Sequence, residues 1–280
     1  GIRDIGVTGV QTCALPILAR QCATDPEQSL NVRVSAVLLL GREAETRSSD
    51  FELMAGLLKP RVPALLQQQV VLRFGQISEP GVAEFLLRGW LSYSPDLRKR
   101  VLSVIASRAE WAGTLRSHLL IGNIHPGELP ASIRQQLLDD PENRDAWVQA
   151  LSIDGTDDRA EVLAAYRPAL KLKGDAQRGG ILFRKLCLNC HNVKDQGHHV
   201  GPKLESITNK TKESLLNSII DPNAAVDASY FNYSILTESG RTYRGKLETE
   251  TATSITLLAA EGKRTTVLRD EIELLKASRK

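Results

Sequence analysis

Methionine is nearly absent from this chain: Met54 is the one copy in 280 residues. Cysteine is sparse too, with four: Cys13, Cys22, Cys187 and Cys190. The first two are scattered and the last two stand close together, so the set does not suggest a disulfide framework. Long apolar runs are missing. None reaches the ~18–20 residues a membrane helix needs, and VSAVLLLG, 34–41, reads as the buried face of a helix. Charge of one sign is nowhere concentrated. Residues 1–173 hold 20 basic and 20 acidic side chains, and residues 174–280 hold 16 and 13. Nucleic acid is therefore not an implied partner. What is present, a quarter charged residues and 42% hydrophobic ones, suits a globular chain of one or two domains able to bury a core.

The first seventeen residues, GIRDIGVTGVQTCALPI, do not read like the rest. They lack the basic start and apolar stretch of a signal peptide. They resemble the translation of a sequencing-library adapter: Val7–Ile17 and Gly1–Asp4 match adapter segments, and Ile5-Gly6 would be an index between them. Residues 1–17 are accordingly expected to be an adapter-derived artefact and are set apart from the fold, Cys13 with them.

Over residues 18–170, apolar side chains recur at helical spacing between proline and glycine breaks. Asp25-Pro26 opens a segment with Leu30, Val34, Val37 and Leu38 on one stripe. Ser49 or Asp50 is the expected N-cap of the next helix. Most prolines that follow fall at first-turn positions, where a missing N–H costs nothing. Short helices joined by short turns predict an α-solenoid of the HEAT kind, with NVRVSAVLLL as the second half of a unit. An irregular helical bundle is the alternative. Met54, on an apolar stripe, is expected in the core, and His118 and His125 are expected to be structural.

Residues 171–280 carry the chemistry. In KLKGDAQRGGILFRKLCLNCHN, Asp175 is a natural N-cap for a helix leading into the cysteines. C-x-x-C-H at 187–191 is the spacing of covalent haem c attachment. Two thiols, Cys187 and Cys190, meet the two vinyl groups on one porphyrin edge, and His191 turns its imidazole onto the iron. A metal-bound histidine usually donates its other N–H to an oxygen acceptor. The Pro202 carbonyl, in VGPKL, is suited to that role, with Leu204, Phe183 and Leu186 packing about the haem. Two alternatives stand beside this one. A zinc site could use Cys187, Cys190 and the pair His198/His199, at a spacing shorter than common zinc patterns. A thioredoxin-like pair would need a preceding strand, and the preceding segment reads as helix. His198 and His199 read as a solvated loop, or as substitutes for a sixth iron ligand.

After the helical segment TKESLLNSIIDPN the pattern alternates. Turn signals at Glu238-Ser239-Gly240 and Glu261-Gly262 predict about four strands, 230–237, 241–248, 253–260 and 264–268. Taken together, GDAQRG, CLNCH, GPKL, LLNSIIDPNAAVD, ESGRTYRG and TVLRDEIELLKAS resemble the planctomycete/verrucomicrobial-type haem-binding domain, a cytochrome c family with a β insertion. The likeness spans about 172–280. It implies a mainly α fold: HEAT-like helices over 18–170, then a cytochrome c-like α domain over 171–280 with a small antiparallel β insertion at about 228–270. It also implies one haem c, a redox partner or upstream quinone-dependent (PQQ-type) dehydrogenase domain, and a periplasmic or other extracytoplasmic location. In that family a Ser-Leu-Met-Pro segment follows the position of EIELLKAS and supplies the distal methionine. On this reading the chain is a fragment that stops short of its distal ligand. Three roles stay open: electron transfer, a helical interaction scaffold with an incidental haem, and a haem enzyme or sensor with an open iron face.

Overall fold

The computed structural model describes residues 9–152, 157–222 and 228–278. Among them the chain is mainly helical, with twelve α-helices and a small antiparallel sheet. It divides into two compact units, the first ending at Ser117 (with Thr251–Thr253 grouped to it) and the second beginning at His118. The boundary expected at 170/171 falls within the second.

The first unit holds α1 (Gly9–Thr24), α2 (Leu30–Val37), α3 (Arg47–Gly56), α4 (Ala64–Gly75), α5 (Val82–Leu87) and α6 (Pro95–Ala106). Residues 1–8 of the adapter-like segment lie outside the described residues; α1 begins at Gly9 and runs past the expected break at 17/18. Each helix buries one stripe. In α2 that stripe is Arg33, Ala36 and Val37, followed by Leu40, while Leu38 faces solvent. The buried stripe is therefore rotated from the expected one. Phe51 sets its ring edge-on to Phe74 and Phe85, with centroids 5.6 and 5.4 Å away, a favoured aromatic geometry. Met54 is fully buried.

The cap of α3 is Thr46, not Ser49 or Asp50. Asp50 is instead drawn into the core, where it accepts from Arg20 Nε at 2.5 Å and from the Gly41 backbone N–H at 2.7 Å. A buried carboxylate needs such partners, and here they tie α1 and the α2–α3 connection to α3. Ser94 caps α6, with Pro95 in its first turn. Pro63 and Pro130 stand one position earlier, at the N-cap.

The helix α7 (Ala112–Leu120) spans the division after Ser117, and α8 (Ala131–Leu138), α9 (Arg144–Leu151), α10 (Asp157–Tyr166), α11 (Ala176–Leu186) and α12 (Lys212–Ile220) follow it. His118 is buried, and the His125 ring accepts from Gly127 N–H to cap a single helical turn. Between α11 and α12 lies a hairpin of β1 (Asn192–Val193) and β2 (Gln196–Gly197). Lys194 and Asp195 make its two-residue turn, both at positive φ, as a type I′ turn requires.

The main sheet comprises β3 (Asn232–Thr237), β4 (Thr242–Glu250), β5 (Ser254–Leu258), β6 (Arg264–Leu268) and β7 (Ile272–Ser278), in the order β6-β5-β4-β3-β7. Alternation buries Tyr233 and Ile235, Ile255 and Leu257, and Val267 in one apolar cluster. The insertion thus runs past 270, because β7 returns to pair antiparallel with β3. Its pairing slips at Ile272–Leu274 against Leu236–Thr237. That bulge leaves Ile272 and Leu275, three apart, both buried, so β7 does not alternate like a strand.

Two ionic contacts yield predictions. Asp50→Ala removes the partner of a half-buried guanidinium and of a buried amide, and should cost about 1–3 kcal/mol in urea unfolding. Arg264 grips Glu248 through two hydrogen bonds of 2.7 and 2.8 Å across β5, which holds the Glu248 carboxyl below its ordinary 4.5. Its folded value is depressed, so the stabilisation is complete above the unfolded value and is lost as pH falls through the folded one. Glu248→Gln should therefore lower the melting temperature slightly at neutral pH, and the gap from the parent should close as pH falls through the depressed Glu248 value.

Candidate functional site

The segment that carries C-x-x-C-H is built as a helix end followed by a tight return. Asp175 accepts from the backbone N–H groups of Gln177 and Arg178 at 2.9 and 3.1 Å, which caps α11 as its sequence implies. The helix ends at Cys187, whose N–H still reaches the Phe183 carbonyl at 2.8 Å. A last turn follows, in which Cys190 and His191 N–H groups both donate to the Cys187 carbonyl, at 3.2 and 2.9 Å. Cys187 and Cys190 are half-buried and unpaired thiols.

Past the β1–β2 hairpin the chain comes back beside its start. Gly201 N–H donates to the Cys190 carbonyl at 2.7 Å, and Leu204 N–H donates to the Asn192 carbonyl at 3.0 Å. This return delivers the hydrogen bond anticipated from Pro202: His191 Nδ1 lies 2.8 Å from the Pro202 carbonyl oxygen. A carbonyl only accepts, so Nδ1 carries the hydrogen. In the neutral ring, Nε2 is then the nitrogen with an available lone pair. Gly201 is what allows the approach. A Cβ there would sit 2.6 Å from His191 Cε1 and 2.8 Å from Nδ1.

The other anticipated residues are distributed around this turn. Phe183 and Leu204 are half-buried, and Pro202 is exposed. Leu186 is 69% exposed, and Ile181 and Leu182 on the same helix are also exposed. His198 lies in the loop just past β2 and is half-buried. Its backbone N–H donates to both the Leu188 and His191 carbonyls at 3.2 Å, and its half-buried ring rests on Gly262. His199 is exposed, and its carbonyl accepts from Lys246 Nζ at 3.1 Å. Among the described residues, no three His, Cys, Asp or Glu side chains converge as a metal-binding group. No helix among them is long and apolar enough to cross a membrane.

Sequence reasoning missed Gly201, Asn192 and Gly262. Gly201 precedes Pro202 in the GPKL motif, and a glycine beside a residue assigned to the histidine was the available signal. Asn192 is 3% exposed with its Oδ1 unpartnered; nothing in the sequence marks it. Compared with models of known protein families, the chain matches none.

Gly201→Ala should push the imidazole off the Pro202 carbonyl and cost about 1–3 kcal/mol, the range for overfilling a close-packed contact. Long-range ¹H–¹⁵N correlation spectra of the neutral His191 ring test this: the Nδ1–H tautomer should dominate in the parent chain and lose that dominance in the variant.

Proposed function

We propose that residues 171–280 form a mono-haem c-type cytochrome module, joined to HEAT-like helices and passing electrons from a dehydrogenase domain or partner. The observation that carries this reading is the His191 Nδ1–Pro202 hydrogen bond. It fixes the tautomer that leaves Nε2 to ligate iron, on the residue next to one of two unpaired, half-buried thiols.

The residues present fit a covalent haem. Cys187 and Cys190 would each add a thiol across a vinyl double bond, sulfur to one carbon and hydrogen to the other, with no oxidant required. Gly201 supplies a cradle that any larger residue would fill. Ile181, Leu182 and Leu186 offer exposed apolar surface on the helix that enters the site, of the kind a porphyrin buries at about 25 cal/mol per Å². Once bound, haem iron would supply one-electron redox chemistry. A zinc site at Cys187 and Cys190 fits less well, since it needs four converging ligands and no three converge among the described residues. With haem c attachment completed outside the cytoplasmic membrane, as the family resemblance implies, a periplasmic or surface location follows.

Expression with haem c maturation machinery tests the reading. The parent chain should retain its haem through denaturation, and the Cys187→Ala/Cys190→Ala variant should retain none. His191→Ala should keep covalent haem but lose the imidazole-ligated spectrum. A Ser-Leu-Met-Pro extension at the C-terminus should convert the parent to a low-spin form with a methionine–iron band. Absence of covalent haem in every form, with zinc bound instead, would sink the proposal. Partner binding that survives loss of both cysteines would favour the scaffold role.

A further inference from the structure

The β5–β6 hairpin tip touches the cysteine segment and its return at two points, and strand β4 adds a third. Glu261 N–H donates to the carbonyl of Asn189, one of the two residues between the cysteines, at 3.0 Å. The His198 ring rests on Gly262, where a Cβ would lie 2.9 Å from Nδ1. On the neighbouring strand β4, Lys246 Nζ donates to the His199 carbonyl at 3.1 Å while its ammonium stands over the Tyr230 ring at 5.0 Å. The tip has a defined turn geometry, closed by Ala259 N–H on the Lys263 carbonyl at 2.8 Å. Glu261 and Gly262 both have positive φ, 59° and 72°, a conformation uncommon for a residue other than glycine.

The contact reaches His191 in one further step. The His198 backbone N–H that follows the seated ring is shared between the Leu188 and His191 carbonyls. Asn189 is thus held from one side and His191 from the other, and both restraints originate in Glu261 and Gly262.

We propose that this hairpin tip is a positioning element for the cysteine loop: Glu261 fixes the turn between Cys187 and Cys190, and Gly262 seats His198 so that its backbone holds His191. The inference deepens the haem reading and rests on it for what the loop carries, but not for the contact itself. The sheet then does more than decorate a helical domain, because whatever moves the β5–β6 tip moves the thiols and the imidazole.

The test begins with the full chain without haem. Peptide-resolved thiol labelling under native conditions should show Cys187 and Cys190 reacting roughly fivefold faster in Gly262→Ala than in the parent, as expected when about one hydrogen bond's worth of local stability is lost. Cys22 should be unchanged. Glu261→Gly keeps the N–H and suits the positive φ, so it should label like the parent. Equal labelling of Cys187 and Cys190 in Gly262→Ala and parent overturns the proposal. If Gly262→Ala unfolds the sheet, revealed by loss of the parent's slow hydrogen exchange in β3–β7, hydrogen exchange of the parent decides. A protected Glu261 amide supports the contact, and one exchanging like an unstructured amide overturns it. In chains loaded with haem, the midpoint potential should shift in Gly262→Ala and not in Glu261→Gly; an unmoved potential overturns the link to His191. A chain that takes up no haem but shows the labelling change retains the positioning role and removes the haem reading.

Discussion

The second unit's site depends on a backbone clasp. Gly201 N–H on the Cys190 carbonyl and His191 Nδ1 on the Pro202 carbonyl join residues 190–191 to 201–202. Without the clasp, Cys187, Cys190 and His191 would be three side chains at the frayed end of a helix. With it, the imidazole has one tautomer and the segment between the joined pairs is short enough to fold as a hairpin. The type I′ turn at Lys194-Asp195 is the local device that makes the return tight. Residues of opposite φ preference would open it, and Gly201 would no longer reach Cys190.

The cysteine-bearing helix of the second unit is held by different means from the helices of the first. The first is packed: Trp90, Trp111, Met54, Phe74 and their neighbours are buried, and its polar core contacts, such as Asp50 with Arg20 and Gly41, are short and enclosed. In the second unit the sheet has its own apolar cluster, yet α11 and α12 have no buried residue among those described. The helix that delivers the cysteines is kept in place by its cap, its last turn and the backbone bonds that follow, rather than by side-chain burial. Such an element has low local stability. Its order then depends heavily on what covers Ile181, Leu182 and Leu186, which is why the proposed haem and the β5–β6 tip matter more here than a cofactor or hairpin would in the first unit.

Much of this was legible in the sequence, and the failures are physical. Asp175 as cap, Met54 in the core and the His191–Pro202 pair all follow from local rules: side-chain capping, helical periodicity, and the need of an oriented imidazole for an acceptor. Helical character before residue 170 and strands after 230 follow from periodicity. The misreadings arise where tertiary structure overrides local preference. Asp50 is a good N-cap by type, but Arg20, thirty residues away, offers a better partner, and Thr46 takes the cap position. Strand β7 was hidden because its bulge removes the alternation by which strands are recognised. The half-burial of His198 in its loop was hidden because the neighbour that covers it, Gly262, is distant in sequence.

The same geometry weighs on the choice between metal chemistries. A structural zinc site draws its stability from several protein donors converging on one ion, so the polypeptide alone must bring them together. Covalent haem asks something different of the chain. Its two sulfurs bond to carbon atoms on the porphyrin edge and need only a helical-turn spacing, while one imidazole alone must be aimed. Here the aimed group is His191, fixed through Nδ1, and the donors that zinc would require are dispersed: His198 is seated on the sheet's hairpin and His199 is exposed. A loop that orients one ring and leaves its neighbours engaged elsewhere suits the proposed haem, which brings its own equatorial donors, better than it suits zinc.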